Sequence, residues 1–222
     1  MKVMKEKEVE RLIISVNKLG LNFAIHAIGD RANKEVLDIY EKIFRKIKIK
    51  QLKNRVEHVQ ILREEDFIRF KKLNLIASMQ PYHLASDMKM AEKGWGKRCR
   101  WSYAWNRLVK NGVHLTFGSD CPVETVNPIR DLYVSITRRG EDGYPNGGWY
   151  PEHRLTLEQA IYSYTYEGAY ASADEDIKGS IEIGKLADLI VLSDDIFKIS
   201  PKDILDVKVI HTILDGNIVY SS

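Results

Sequence analysis

No His-x-His pair, no Cys-x-x-Cys pair and no phosphate loop of the form GxGxxG or GxxxxGK[ST] occurs in these 222 residues. The last absence removes the usual sequence basis for a Rossmann-like nucleotide binder. Cysteine is scarce: Cys99 and Cys121 are the whole complement, which excludes a disulfide scaffold and fits a reduced, cytoplasmic interior. No apolar run approaches a membrane span, and the N-terminal MKVMKEKEVERL is a charged helix start, not a signal peptide. The net charge is only +3 and the basic residues are spread out. Nucleic acid, which usually calls for a basic patch, is therefore not an expected partner, and neither is a membrane. The one local excess, KIFRKIKIKQLK from Lys42 to Lys53, reads as a solvated helix end and loop.

What is present is an alternation of short apolar runs with amphipathic helical patterns. Val9, Leu12, Ile13, Val16 and Leu19 fall at helical spacing, and Gly20 is placed to end that helix. Leu21 to Ile25 reads as a strand ending at His26; Asp30 can cap a helix burying Val36, Tyr40, Ile43, Phe44 and Ile47. Arg55 to Val59 is a second strand. Glu64 and Glu65 sit in the first turn of a third helix with Phe67, Ile68, Phe70 and Leu73 as core candidates. Leu75 to Met79 is a third strand leading into QPYHLASD, after which an irregular stretch rich in Gly, Lys and Trp is expected up to a helix near Tyr103 to Lys110. Val113 to Phe117 is a fourth strand opening into GSDCPVE, and Thr156-Leu157-Glu158-Gln159 is a capping box for a helix reaching about Glu167. Beyond Asp176 the chain turns β-rich, with an Asp215-Gly216 hairpin turn. The expected division is 1–176, whose four strand–helix units make either a half-barrel that finds its other half elsewhere or an open sheet with exposed edges, and 177–222, a β segment. Continuous apolar strands separated by crossover helices predict a parallel sheet buried on both faces.

His26, His58 and Asp120 each stand just past such an apolar run, in LNFAIHAIGD, NRVEHVQ and VHLTFGSD. Polar groups at the carboxyl ends of parallel strands are the usual site in βα folds. Two imidazoles and a carboxylate are borderline ligands suited to Zn²⁺ or a similar divalent metal. The bland rivals are a packed histidine and an aspartate that caps a turn. His114 alternates with apolar neighbours and reads as packed; His153 and His211 read as surface or sandwich residues. Trp95, Trp101 and Trp105 fit packing, or a lid or pocket wall.

HAIGDRA, RVEHVQ, QPYHLASD, YAWNRL, FGSDCPVE, GGWYPEHRLTLEQA and KGSIEIGKLADLIVL, in that order over nearly the whole chain, resemble the amidohydrolase superfamily. They resemble in particular its amidohydrolase family 3 branch of YtcJ-like and N-substituted-formamide-deformylase-like enzymes. The resemblance implies the C-terminal half of that fold: the second half of a metal-dependent-hydrolase (βα)₈ TIM barrel, strands five to eight, plus C-terminal strands of a small β-sandwich. It further implies that His26 and His58 are the metal ligands of strands five and six, and that Asp120 is the strand-eight aspartate that binds metal and moves protons. His83 becomes a candidate for a substrate or oxyanion contact, with Gln80 and Asp87 lining the site. The strand-one His-x-His pair, the strand-four bridging side chain and the first sandwich strands have no counterpart here. The implied activity is hydrolysis of non-peptide carbon–nitrogen bonds in a small amide-type substrate. The chain by itself is expected to be inactive, and to associate with itself or with a complementary N-terminal chain. The alternative is a non-catalytic remnant or structural subunit.

Overall fold

The computed structural model describes residues 4–47 and 52–222; the first three residues and the 48–51 part of the Lys42–Lys53 run lie outside the described residues. Two compact units emerge. One holds the described residues up to Met79 together with Lys89–Thr116, and the other holds Gln80–Met88 and Phe117–Ser222.

In the first unit, α1 (Glu6–Lys18) buries Val9, Ile13 and Asn17, one residue per turn, and Gly20 takes the positive φ that ends it. Strand β1 (Ala24–Ala27) contains His26 rather than stopping before it. Helix α2 (Asp30–Lys46) has Gly29 and not Asp30 at its cap position; it buries the expected Val36, Tyr40 and Ile43 together with Asn33, Leu37 and Ile39, while Phe44 is exposed. Lys42 and Lys46 reach the acids of α1, with Lys42 Nζ 2.6 Å from Glu10 Oε2. Strand β2 (Arg55–His58) pairs in parallel with β1, and β3 (Ile76–Met79) in parallel with β2. Glu64–Asp66 form a 3₁₀ turn ahead of the short α3 (Phe67–Lys72), which buries Phe67 and Phe70 but leaves Ile68 exposed. With β4 (Leu115–Phe117) the sheet runs in the order β1-β2-β3-β4. Sequential neighbours in one parallel sheet, each reached by a crossover, are the βα rhythm the apolar runs predict.

The irregular stretch expected after QPYHLASD is instead helix α4 (Pro81–Trp95), followed by 3₁₀ backbone to Trp101. Pro81 takes the first helical position, where its missing N–H costs nothing, and Leu84, Met88 and Ala91 supply buried positions at helical spacing. Of Trp95, Trp101 and Trp105, the latter two pack. Trp101 meets Phe67 edge to face at 5.8 Å, and Trp105, on α5 (Trp105–Lys110), is fully buried beside Tyr103.

In the second unit, α6 (Pro128–Thr137) is a helix that the motif reading did not assign. Asn127 caps it by accepting from Ile129 N at 3.1 Å, with Pro128 at its start. Its end is tied to the following loop: Arg138, fully buried, donates from Nε to the Trp149 carbonyl, and Trp149 N donates to Arg138 O at 2.8 Å. The Thr156/Gln159 capping box forms in full at the start of α7 (Leu157–Tyr164), which stops at Thr165 and gives way to α8 (Tyr166–Ser172). His153, expected near the surface, is buried. Strands β5 (Leu189–Leu192), β6 (Val209–Leu214) and β7 (Asn217–Ser221) form an antiparallel sheet. Asp215 and Gly216 both adopt positive φ between β6 and β7. That backbone is what a two-residue hairpin joining right-twisted strands requires.

Candidate active site

Of the six site residues read from sequence, His26 and His58 lie in the first unit, and Gln80, His83, Asp87 and Asp120 lie in the second. In the first unit His26 lies on β1 and His58 closes β2, one strand over. Their rings meet edge to face with centroids 4.4 Å apart and planes at 67°. Parallel register puts Ala27 opposite His58 and His26 opposite Glu57. Glu57 pairs with Arg55.

The backbone around His58 is unusual. His58 has φ +77° and Val59 φ +45°, two successive left-handed residues of which the second is β-branched. Such conformations persist only where the surroundings enforce them, and they concentrate at functional sites. The enforcement is visible: Val59 N donates to Ala27 O at 3.1 Å, Ile61 N to Ile28 O at 3.2 Å, and Gln60 O accepts from Tyr103 N at 2.8 Å.

A residue that the motifs gave no reason to select, Asn33, ties the two strand tips together. It is fully buried in the first turn of α2, and its Nδ2 lies 3.0 to 3.2 Å from the carbonyl oxygens of Ala27, Ile28, Gly29 and Ile61. One amide thus bonds to the backbone following both histidine-bearing strands. The signal available in the sequence was an asparagine on the buried face of an amphipathic helix, just after a strand.

In the second unit Asp120 follows β4 with φ +56°, exposed, and its carbonyl accepts from Val123 N at 2.8 Å. His83 stands in the first turn of α4, buried, with Nε2 3.9 Å from Asp120 Oδ2. That separation is longer than a hydrogen bond. Gln80 is buried at the start of this segment, and half-buried Asp87 sits one helical turn beyond His83, on the same side of the helix.

Asp131, on α6, anchors the turn that carries His83: its Oδ1 accepts from Tyr82 N at 2.8 Å. Burial pushes this carboxyl up from its ordinary 3.8 to about 6, partly offset by the Tyr82 N–H and the nearby Tyr164 hydroxyl. The second oxygen, Oδ2, and the Tyr164 hydroxyl are both buried without a well-formed hydrogen bond. Burial also drives the Tyr164 hydroxyl far above its usual range.

A family model described as the amidohydrolase family matches residues 1–220. The chain belongs to the amidohydrolase family. Its relatives include YtcJ of Bacillus subtilis, 32% identical over 98% of this chain and 41% of that protein. The N-substituted formamide deformylase of Arthrobacter pascens is 28% identical over 97% of this chain and 39% of its own length. Among solved structures, an uncharacterized metal-dependent hydrolase from Pyrococcus horikoshii OT3 superposes with a TM-score of 0.78 at 30% identity, covering 90% of this chain and 39% of that one. The chain therefore spans about two fifths of the length of the curated relatives it matches. An α/β amidohydrolase-family domain with a parallel sheet accounts for the βα rhythm and for polar side chains at the strand ends. The donors offered, imidazole nitrogen and carboxylate oxygen, are those a borderline divalent cation prefers.

Proposed function

We propose that this chain is the C-terminal half of a metal-dependent amidohydrolase: strands five to eight of a (βα)₈ barrel up to about residue 176, and part of a small β-sandwich from 177 to 222. In this reading His26, His58 and Asp120 are ligands to Zn²⁺ or a similar cation. The substrate is a small molecule carrying a non-peptide carbon–nitrogen bond, a class supported by the name of the Arthrobacter deformylase. The observation that carries the reading is the His26–His58 pair, two imidazoles in contact at adjacent strand tips, in a chain of this family.

When bound, the cation would lower the pKa of water toward ~7 and polarise the substrate carbonyl. Asp120 would take the proton from the attacking water and return it to the leaving nitrogen, which as a free amide anion is too basic to depart. Its exposed position after β4 leaves it open to substrate. His83, buried and 3.9 Å from Asp120, would donate to the carbonyl oxygen as charge builds there. Gln80 and Asp87 would line the substrate's path beside it.

The complementary half would supply the remaining ligands and strands. Supporting this are the exposed apolar side chains of the C-terminal segment, Ile183 ahead of β5 and Ile190, Ile218 and Val219 on the strands, since large exposed apolar surface commonly marks an interface.

The test is a Co²⁺ titration of the purified chain read by visible absorption, alongside its mass in solution. One ion per chain is expected, with binding lost in the His26→Ala/His58→Ala double variant. Equal affinity in that variant, or no binding at all, overturns the ligand assignment. With the complementary half supplied, Asp120→Asn should lower kcat by about 10²- to 10⁴-fold. Robust turnover by the isolated chain would overturn the need for a second half.

A further inference from the structure

The second unit contains a cavity of about 430 Å³ between the C-terminal end of α6, the loop that follows it and the turn at residues 200–202. It shares no lining residue with Gln80, His83, Asp87 or Asp120. The volume is within the range that small ligands occupy, roughly 300 to 1,000 Å³. Tyr133 and Ile136 give it an apolar wall, and Arg139, Arg154 and Lys202 bring positive charge.

The charges around the cavity do not balance once existing bonds are assigned. Arg154 is spent on structure, donating from Nε to Thr137 O at 3.2 Å and from Nη2 to Gly147 O. Glu141 is already engaged, with Arg130 Nη1 at 3.1 Å and the Tyr82 hydroxyl at 2.6 Å from its Oε1. Asp142 turns one oxygen onto its own loop, accepting from Tyr144 N at 2.9 Å. Arg139 and Lys202 are left. Among the described residues neither has a carboxylate partner, and Arg139 Nε is buried with no hydrogen-bond acceptor. A guanidinium N–H removed from water and given no acceptor carries an uncompensated desolvation cost. Buried polar groups normally find a partner in a protein group, an ordered water or a bound ion, and for a guanidinium the strongest such partner is an anion.

We infer that this cavity binds a small anion, a carboxylate or a phosphate, through Arg139 and Lys202. The planar guanidinium offers paired donors to two oxygens of such a group, and the lysine adds a point charge on a flexible stem. The wall of Tyr133 and Ile136 accommodates an organic body attached to the anion. The site is separate from the proposed metal ligands and does not depend on them.

The experiment uses the full chain, with phosphate and succinate as probes at constant ionic strength and chloride as the reference. Calorimetric titration and thermal unfolding are read together. Saturable binding of at least one probe is expected, together with a rise in Tm. Lys202→Gln, an exposed substitution that leaves the fold intact, should weaken binding about tenfold, and Arg139→Gln by more. Lys198→Gln, which touches a different ion pair, should leave binding unchanged. Phosphate binding alone identifies a phosphate ligand, and succinate binding a carboxylate; either supports the site. Failure of both probes to bind beyond the chloride reference overturns it. So does undiminished binding in Lys202→Gln, even if Arg139→Gln does not fold.

Discussion

The sheet of β1 to β4 and the sheet of β5 to β7 are both built largely from apolar residues, but only the first has buried strands, with β1, where Ala24 and His26 are exposed, as its open edge. Val56, Ala77 and Met79 are completely buried, whereas Ile218 is 64% and Ile190 52% exposed. Parallel strands cannot be formed without crossover helices, and those helices cover the faces they cross. The antiparallel strands need only tight turns such as Asp215-Gly216, so the second sheet closes its backbone bonds without closing its surface. Three strands with an open apolar face are marginal alone. The contrast teaches that crossover connections bury the strands they join, whereas hairpin connections leave a sheet open.

Substitution of equivalent apolar residues gives the largest test of that contrast. Phe70→Ala, at a site with no exposure, should cost about 3 to 5 kcal/mol by losing transfer energy and leaving a cavity. Ile218→Ala should stay within about 0.5 kcal/mol in the isolated chain, as surface changes do. Urea unfolding of both variants decides it; an Ile218→Ala loss approaching that of Phe70→Ala would mean the tail sheet is covered after all.

Next in size is Asn33→Asp, which keeps the shape but removes the donors that Ala27, Ile28, Gly29 and Ile61 share. A buried carboxylate facing carbonyl oxygens should cost about 3 kcal/mol. Co²⁺ affinity should fall with it, because the strand tips bearing His26 and His58 lose their tie. Wild-type metal affinity in a destabilised Asn33→Asp protein would show that the amide serves the fold alone.

Asp131 sharpens the contrast in a different currency. Its carboxyl rises from the ordinary 3.8 to about 6 in the folded chain because burial disfavours the charge. Below the unfolded pKa both states are neutral there and nothing is lost. As pH climbs from about 4 to about 6 the unfolded chain ionises first, so stability falls, by about 3 kcal/mol at most. Asp131→Asn keeps the acceptor for Tyr82 N and cannot ionise. Its stability relative to wild type should therefore rise across that interval and level off above it. Parallel pH–stability curves for the two proteins would refute this account of the carboxyl.

How much of this was legible before the structure depended on whether the signal was local. The four parallel strands stood out as apolar runs, each located to within one to three residues, and the hairpin and capping box were written in two to four residues. Helix α4 was hidden because His83, Ser86 and Asp87 interrupt the apolar spacing that Leu84, Met88 and Ala91 keep. Helix α6 carried a readable start, Asn127-Pro128, that an eye fixed on the GSD motif passes over. His26, His58 and Asp120 stand out in the sequence because each ends or follows an apolar run; in the structure His26 and His58 lie within β1 and β2, and Asp120 follows β4. Asn33 and Asp131 act through partners 28 and 49 residues away, and no pattern in a single chain records such a pairing.

The smallest effect concerns a feature that sequence and structure describe identically. Thr156 Oγ1 accepts from Gln159 N at 3.2 Å, and Gln159 Oε1 accepts from Thr156 N at 3.0 Å. Removing the hydroxyl in Thr156→Ala leaves one helix-start N–H to water, worth about 1 kcal/mol. The site is exposed, so solvent softens the loss, and Thr156→Ser should recover most of it because the acceptor oxygen remains. Thermal unfolding of the three proteins would order them wild type, serine, alanine. Equal stability of alanine and wild type would mean that α7 is held by the buried Ala160 and Ser163 face and not by its cap.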